Sequence, residues 1–299
     1  MRKTPRAAAA AARSALTAVS AAALLTLSAG GAALLSGGCS SGGTIPTGGQ
    51  ETVPPPVVSS GTFYGPTRAV GATGEGRGFV TLQKGTPVEV GFELSENVIP
   101  GMPDLGFDQP YVDFFALPAE ASATPFKYIF LIWFDAHGPI GVGDVPHFHP
   151  LMTRVPPQQP SPGLVTERVA IAPEEIPADH GFFSNAVVPG VGQALDDPAE
   201  PPALPGWNST GYNYLFYNGH MNAISHGATH DWMTSKQSRG GPIKQPQIYP
   251  VPGYYPFAHD FRWNEQRRTW QFVWKDWRAV SAAQARGVRV GGTSDLTGK

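Results

Sequence analysis

The sequence predicts a mainly β protein: an antiparallel sheet, barrel or sandwich with long Pro-rich loops and few short helices. Three observations carry this. Short runs of alternating polar and apolar residues recur through the second and later thirds of the chain. Proline occurs 31 times in 299 residues, too often for long helices. The most apolar run of this part, "FKYIFLIWF" (126–134), is aromatic-rich and of strand length.

The elements follow in order. "GRGFVTLQ" (76–83) and "PVEVGFEL" (87–94) alternate and flank Lys84-Gly85-Thr86, which predicts a hairpin. "YVDFFALP" (111–118) is the next strand. The run 126–134 reads as a central strand buried on both faces, and "YNYLFYN" (212–218) as another. "TWQFVWKDWRAV" (269–280) alternates. Its Trp270, Phe272 and Trp274 share one parity, which points to a core face, while Trp277 has the other parity. Helix is expected only at 228–238 and 281–287. Pro-rich loops are expected at 155–163 and 197–206. "YPVPGYYPF" (249–257) is a candidate rim for an aromatic cleft.

The N-terminus predicts export. Arg2, Lys3, Arg6 and Arg13 precede or open an Ala/Leu stretch, and no acidic residue comes before Glu51. That order is a signal peptide, here 1–38, rather than a membrane span. Cys39 is the only cysteine, so no disulfide can form within the chain. It follows Leu35-Ser-Gly-Gly38 and resembles the lipobox of bacterial lipoproteins, with the leucine one place further out than usual. That resemblance implies a lipidated Cys39 and a cell-envelope location, with the membrane as partner through an acyl anchor. Residues 39–60, rich in Ser, Gly and Pro, read as a flexible tether. One β-rich domain is expected over 61–280, and a tail over 281–299.

Charge excludes one class of partner. Beyond the signal there are 17 Lys and Arg against 23 Asp and Glu, a net of −6. Such a chain lacks the basic stripe that nucleic acid requires. The sequence leaves homo-oligomer formation open.

Several motifs in order resemble an uncharacterised domain family of secreted bacterial proteins, one of them from Thermus. They are "GTFYGPTRAVGATGEGRGFVTLQKGTPVEVGFELSENVIPGMP" (61–103), "IWFDAHGPIGVGDVPHFHP" (132–150), "VVPGVGQALDDPAEP" (187–201) and "YLFYNGHMNAISHGATHDWM" (214–233). The family brings no activity with it. Its Pro-His-Phe-Asp-x-His stretch aligns its first histidine with His147, its aspartate with His149 and its second histidine with Leu151. A further family histidine falls on Ala194. The resemblance therefore implies a rebuilt or reduced site in this chain.

All eight histidines lie beyond residue 60: His137, His147, His149, His180, His220, His226, His230 and His259. In a strand, His147 and His149 point to one face and could reach one zinc, copper, nickel or iron ion. A metal site needs further ligands. His226 and His230, spaced i,i+4, are the candidates, although Gly227 weakens a helix there. Asp231 and Glu265 could offer oxygen. The competing reading is that Pro146 and Pro150 force an irregular segment whose histidines bond to the backbone. Glu174-Glu175 and Asp196-Asp197 read as solvated acidic surface. No Gly-x-Ser-x-Gly, His-Glu-x-x-His or phosphate-binding loop is present. The expectation is a cell-envelope lipoprotein with a ligand-binding or structural role that holds a divalent transition metal such as zinc through His147, His149, His226 and His230. The alternative is a histidine-ligated, metal-dependent enzyme.

Overall fold

The computed structural model describes residues 60–106, 110–134, 145–154, 169–181, 187–188, 191–199, 207 and 209–285. In chain order the strands are β1 (Gly61–Tyr64), β2 (Arg68–Val70), β3 (Gly74–Gln83), β4 (Thr86–Ser95), β5 (Pro110–Ala116), β6 (Tyr128–Phe134) and β7 (His147–Thr153). They continue as β8 (Val187–Val188), β9 (Gly192–Leu195), β10 (Thr210–Tyr217), β11 (His220–Thr229), β12 (Arg239–Pro242), β13 (Gly253–Asn264) and β14 (Thr269–Val280). Two short α-helices, α1 (Val98–Gly101) and α2 (His230–Thr234), are present among the described residues.

The strands form two antiparallel sheets. The first runs β1-β3-β4-β14-β13-β12, with β2 attached to β3; the second runs β5-β6-β7-β11-β10-β9-β8. Their facing side chains make one core, with Val90, Phe92, Trp270, Phe272 and Trp274 from the first sheet and Ile129, Phe148, Tyr212 and Ile224 from the second. This is the mainly β, sandwich-like fold that alternation and proline content predict.

Local chemistry explains the main elements. The predicted hairpin is β3–β4. Its turn residues Lys84 and Gly85 both have positive φ, 51° and 76°, the conformation that matches the twist of paired strands. In β14, Trp270, Phe272 and Trp274 face the core as their shared parity requires. Trp277 joins the same core despite its opposite parity. Asp276, with φ 54°, breaks the alternation one residue earlier, and Trp277 Nε1 donates to the Trp274 carbonyl at 2.7 Å.

Strand β6 is buried on both faces, with Ile129, Leu131 and Trp133 toward the first sheet and Phe130 and Ile132 away from it. It lies second from the sheet edge rather than at the centre. The edge strand β5 is guarded. Arg68 donates to the Phe114 carbonyl and pairs with Asp113 at 3.1 Å, and Asp113 accepts the Phe114 amide at 2.7 Å. Side chains thus occupy backbone groups that would otherwise invite another strand.

Two local expectations are corrected. The helix expected over 228–238 is a strand through Thr229, followed by the five residues of α2. Sheet pairing of Ala228 with Phe148 and of Thr229 with His147 overrides the local helical signal. Residues 281–285 form turns rather than a helix. In the segment 249–257, Tyr249 and Tyr255 are buried against each other, and Tyr255 meets Phe126 edge-on at 5.7 Å, while Tyr254 and Phe257 are half-buried. The loop 155–163, most of 197–206, His137 and Cys39 lie outside the described residues.

Candidate functional site

The second sheet has an inner face toward the first sheet and an outer face. Strand β7 sorts its residues between them by alternation. Phe148 is inward and fully buried, while His147 and His149 are outward. The two imidazoles stand edge-on, with ring centroids 4.8 Å apart and planes at 90°. Proline shapes this segment: the β7–β11 ladder pairs Ser225 with Leu151 and Ala228 with Phe148 and skips the positions between, where Pro150 has no N–H to give.

Gly227 supplies the room. A Cβ there would stand 3.2 Å from the His149 ring and 3.2 Å from the indole of Trp207. Gly211 pairs with Gly227 on β10, so two neighbouring strands are bare at this point. Trp207 covers the spot, 4.9 Å from the His147 ring and 5.9 Å from that of His149. Its Nε1 is buried without a hydrogen-bond partner.

The δ nitrogens of both histidines are engaged. His147 Nδ1 contacts the Val145 carbonyl, which can only accept, so Nδ1 carries the proton and Nε2 the lone pair. His149 Nδ1 lies 3.4 Å from Ser225 Oγ. A ring N–H fixed on a backbone carbonyl is the arrangement that orients a metal-binding imidazole. The polar row continues across the outer face. Ser225 pairs in register with Asn213, whose Nδ2 donates to Asp196 Oδ1 at 2.9 Å. Burial raises the Asp196 pKa, and the Asn213 bond opposes that rise. Around this row lie Phe130, Ile132, Leu151, Leu215 and Ala223, an apolar cluster separate from the main core.

His226 lies on the other face. It points into the sandwich from β11 and meets His259 of β13, Nε2 to Nδ1, at 3.1 Å. Thr210 Oγ1 is 3.0 Å from the same Nε2 and donates to the Gly227 carbonyl at 2.7 Å. His226 Nδ1 is buried without a partner. Burial, more than the neighbouring cation Arg239, holds both imidazoles neutral: it drives His226 well below the usual value of 6.5 and His259 down to about 4. His230 opens α2. Its amide donates to the Pro146 carbonyl at 2.8 Å, which places its backbone beside the start of β7, and its ring is 3.4 Å from Asp231. The structure therefore brings His147 and His149 together, sets the His230 backbone at the end of their strand, and puts His226 across the sheet from them.

Among the described residues, no three His, Cys, Asp or Glu side chains form a group able to hold a metal ion. The solvated reading of the paired acids holds for the exposed Glu174 and is corrected for the other three. Glu175 is buried, 2.7 Å from His220 Nδ1; Asp197 is buried, 2.6 Å from Lys244 Nζ; Asp196 is buried on Asn213. Partners from distant segments make these burials tolerable.

Sequence reasoning missed His259, Trp207, Thr210, Ser225 and Asn213. One of them had a signal. In "FAHDFRW" the odd positions Phe257, His259, Phe261 and Trp263 share a parity, which marks His259 as inward. No described helix is long and apolar enough to cross a membrane. No family model, curated protein or solved structure matches this chain.

Proposed function

We propose that this protein is a lipid-anchored binding protein of the bacterial cell envelope, and that the outer-face pair His147–His149 holds a divalent transition-metal ion of the zinc class. The single observation that carries the metal reading is the pair itself. Two imidazoles share one strand face at 4.8 Å, and the His147 tautomer directs the Nε2 lone pair away from its backbone partner. Neutral imidazole nitrogen suits such ions. Two imidazoles make half of a tetrahedral shell, and the other positions would fall to solvent or to donor atoms of a bound ligand. The charged start, the apolar stretch and the lone Cys39 support the anchor, and the resemblance to a secreted bacterial family supports export.

Calorimetric titration with Zn²⁺ tests the metal reading. Wild type should bind about one equivalent with a micromolar Kd or weaker, and His147→Ala/His149→Ala should show no saturable heat. Equal binding by the two proteins rules the site out. Fractionation tests the anchor: Cys39→Ala should move the chain from the membrane fraction to the soluble one, and unchanged fractionation with an unmodified N-terminus contradicts it.

A further inference from the structure

We propose that His226, Thr210 and His259 form an acid-operated latch between the two sheets, which opens locally, before the rest of the sandwich, when the pair takes up protons. This goes beyond the metal reading and does not depend on it.

The geometry sets up the latch. The pair is the point where β11 and β13 touch through polar atoms, and the 3.1 Å contact joins the second sheet to the first. His226 is fully buried and His259 nearly so. Apolar rings close in on His226, with Phe272 at 5.5 Å, Trp274 at 6.1 Å and Phe261 at 6.4 Å. The titratable and charged groups facing the pair are Tyr212 of β10, whose ring is 5.2 Å from His259, and Arg239 of β12, while Lys275 of β14 acts on it from the far face of the first sheet. The charged ones are cations. Asp260, next to His259, points to the opposite face of its sheet, where it meets Lys275 at 3.3 Å and Arg262 at 3.8 Å. A proton added to the closed pair thus meets low dielectric and positive neighbours, and uptake requires opening.

The backbone beside the pair is also thinly paired at two points. On one side Pro150 removes a ladder hydrogen bond level with His226. On the other, His259 pairs with Gly241 of the four-residue strand β12. Local openings are drawn from segments with few ladder bonds. Both imidazoles are neutral when closed and free to protonate when open. The opening constant should therefore rise about tenfold per histidine for each pH unit, starting near 6.5 and ending near the closed-state value of about 4 for His259.

Amide hydrogen exchange of the full chain at pH 7, 6 and 5, corrected for intrinsic rates, tests this. Amides of 224–228 and 258–261 should lose protection first and steeply, while those of the β3–β4 hairpin stay protected. In His226→Gln/His259→Asn, which keeps hydrogen-bonding atoms at the same places without titrating, the steep local loss should vanish. Should the double variant not fold, His259→Asn alone should cut the pH dependence by about half on the logarithmic scale. His180→Asn, at the other buried histidine whose pKa burial lowers, should leave the local loss intact. Uniform loosening of both sheets, or an unchanged local loss in the histidine variants, overturns the latch.

Discussion

The two histidine pairs sit on opposite faces of one sheet, and ring geometry alone does not separate them. His147–His149 and His226–His259 both have centroids 4.8 Å apart, with planes at 90° and 87°. The difference lies in what the δ nitrogens meet. In the inner pair one imidazole nitrogen faces another, and Thr210 shares the contact. In the outer pair each δ nitrogen turns to a separate partner, the Val145 carbonyl or Ser225 Oγ. The first arrangement engages His226 Nε2 and His259 Nδ1 in holding two sheets together and leaves His226 Nδ1 buried without a partner. In the second, the Val145 carbonyl fixes the His147 proton on Nδ1. Proximity of histidines is thus a poor guide to ligand binding until the hydrogen bonds assign the tautomers.

The largest expected effect separates the pairs by stability. His226→Ala leaves a core cavity and strips His259 of its partner, so it should cost about 3 kcal/mol or more. His149→Ala, at a half-buried outer position, should cost about 1 kcal/mol. Urea denaturation measures both, and equal losses would erase the distinction.

Acid gives the next effect. Both inner histidines have folded-state pKa values below the unfolded 6.5. The unfolded chain therefore binds more protons below that pH. The stability they contribute is full above pH 6.5 and drains as pH falls toward 4, by up to about 1.4 kcal/mol per pH unit per histidine. Denaturation curves at pH 7, 6 and 5 should show this slope in wild type and a shallower one in His226→Gln/His259→Asn. A slope shared by both proteins assigns the titration to other groups.

A smaller effect belongs to the outer pair. Gly227→Ala places a Cβ 3.2 Å from both His149 and Trp207. Those rings must shift by a few tenths of an ångström, at a cost of about 1–2 kcal/mol. Zn²⁺ affinity should fall with it, read by the same titration. The smallest effect concerns residues before Gly61. A chain beginning there should melt within a few degrees of one beginning at Ser40, because the omitted residues are Ser-, Gly- and Pro-rich and carry little apolar surface.

The fold was legible where alternation is strict. The β3–β4 hairpin and the inward face of β14 follow directly from residue parity and turn chemistry. Trp277 escaped that rule because a left-handed residue at 276 resets the parity, and Asp has only a modest preference for that conformation. The shared face of His147 and His149 was legible for the same reason as β14. The partner of His226 was not sought in the right place. An i,i+4 spacing suggested His230, but the spacing spans a strand end and a helix start, and tertiary pairing decided the outcome. His259 could have been read from its parity. Trp207 could not, because it sits in a Pro-rich stretch with no period. The buried acids were misread for a related reason: Glu175 and Asp197 find their partners in His220 and Lys244, 45 and 47 residues away in sequence, and no local pattern announces such pairs.

The central claim is that one pair binds metal and the other holds the sandwich. Elemental analysis of tag-free protein dialysed to equilibrium against excess Zn²⁺, read against its dialysate, tests it most directly, in wild type, His147→Ala/His149→Ala and His226→Gln/His259→Asn. The account predicts about one transition-metal ion per chain in wild type and in the inner-pair variant, and none in the outer-pair variant. Metal-free wild type, or metal that survives loss of the outer pair and disappears with the inner one, would contradict it.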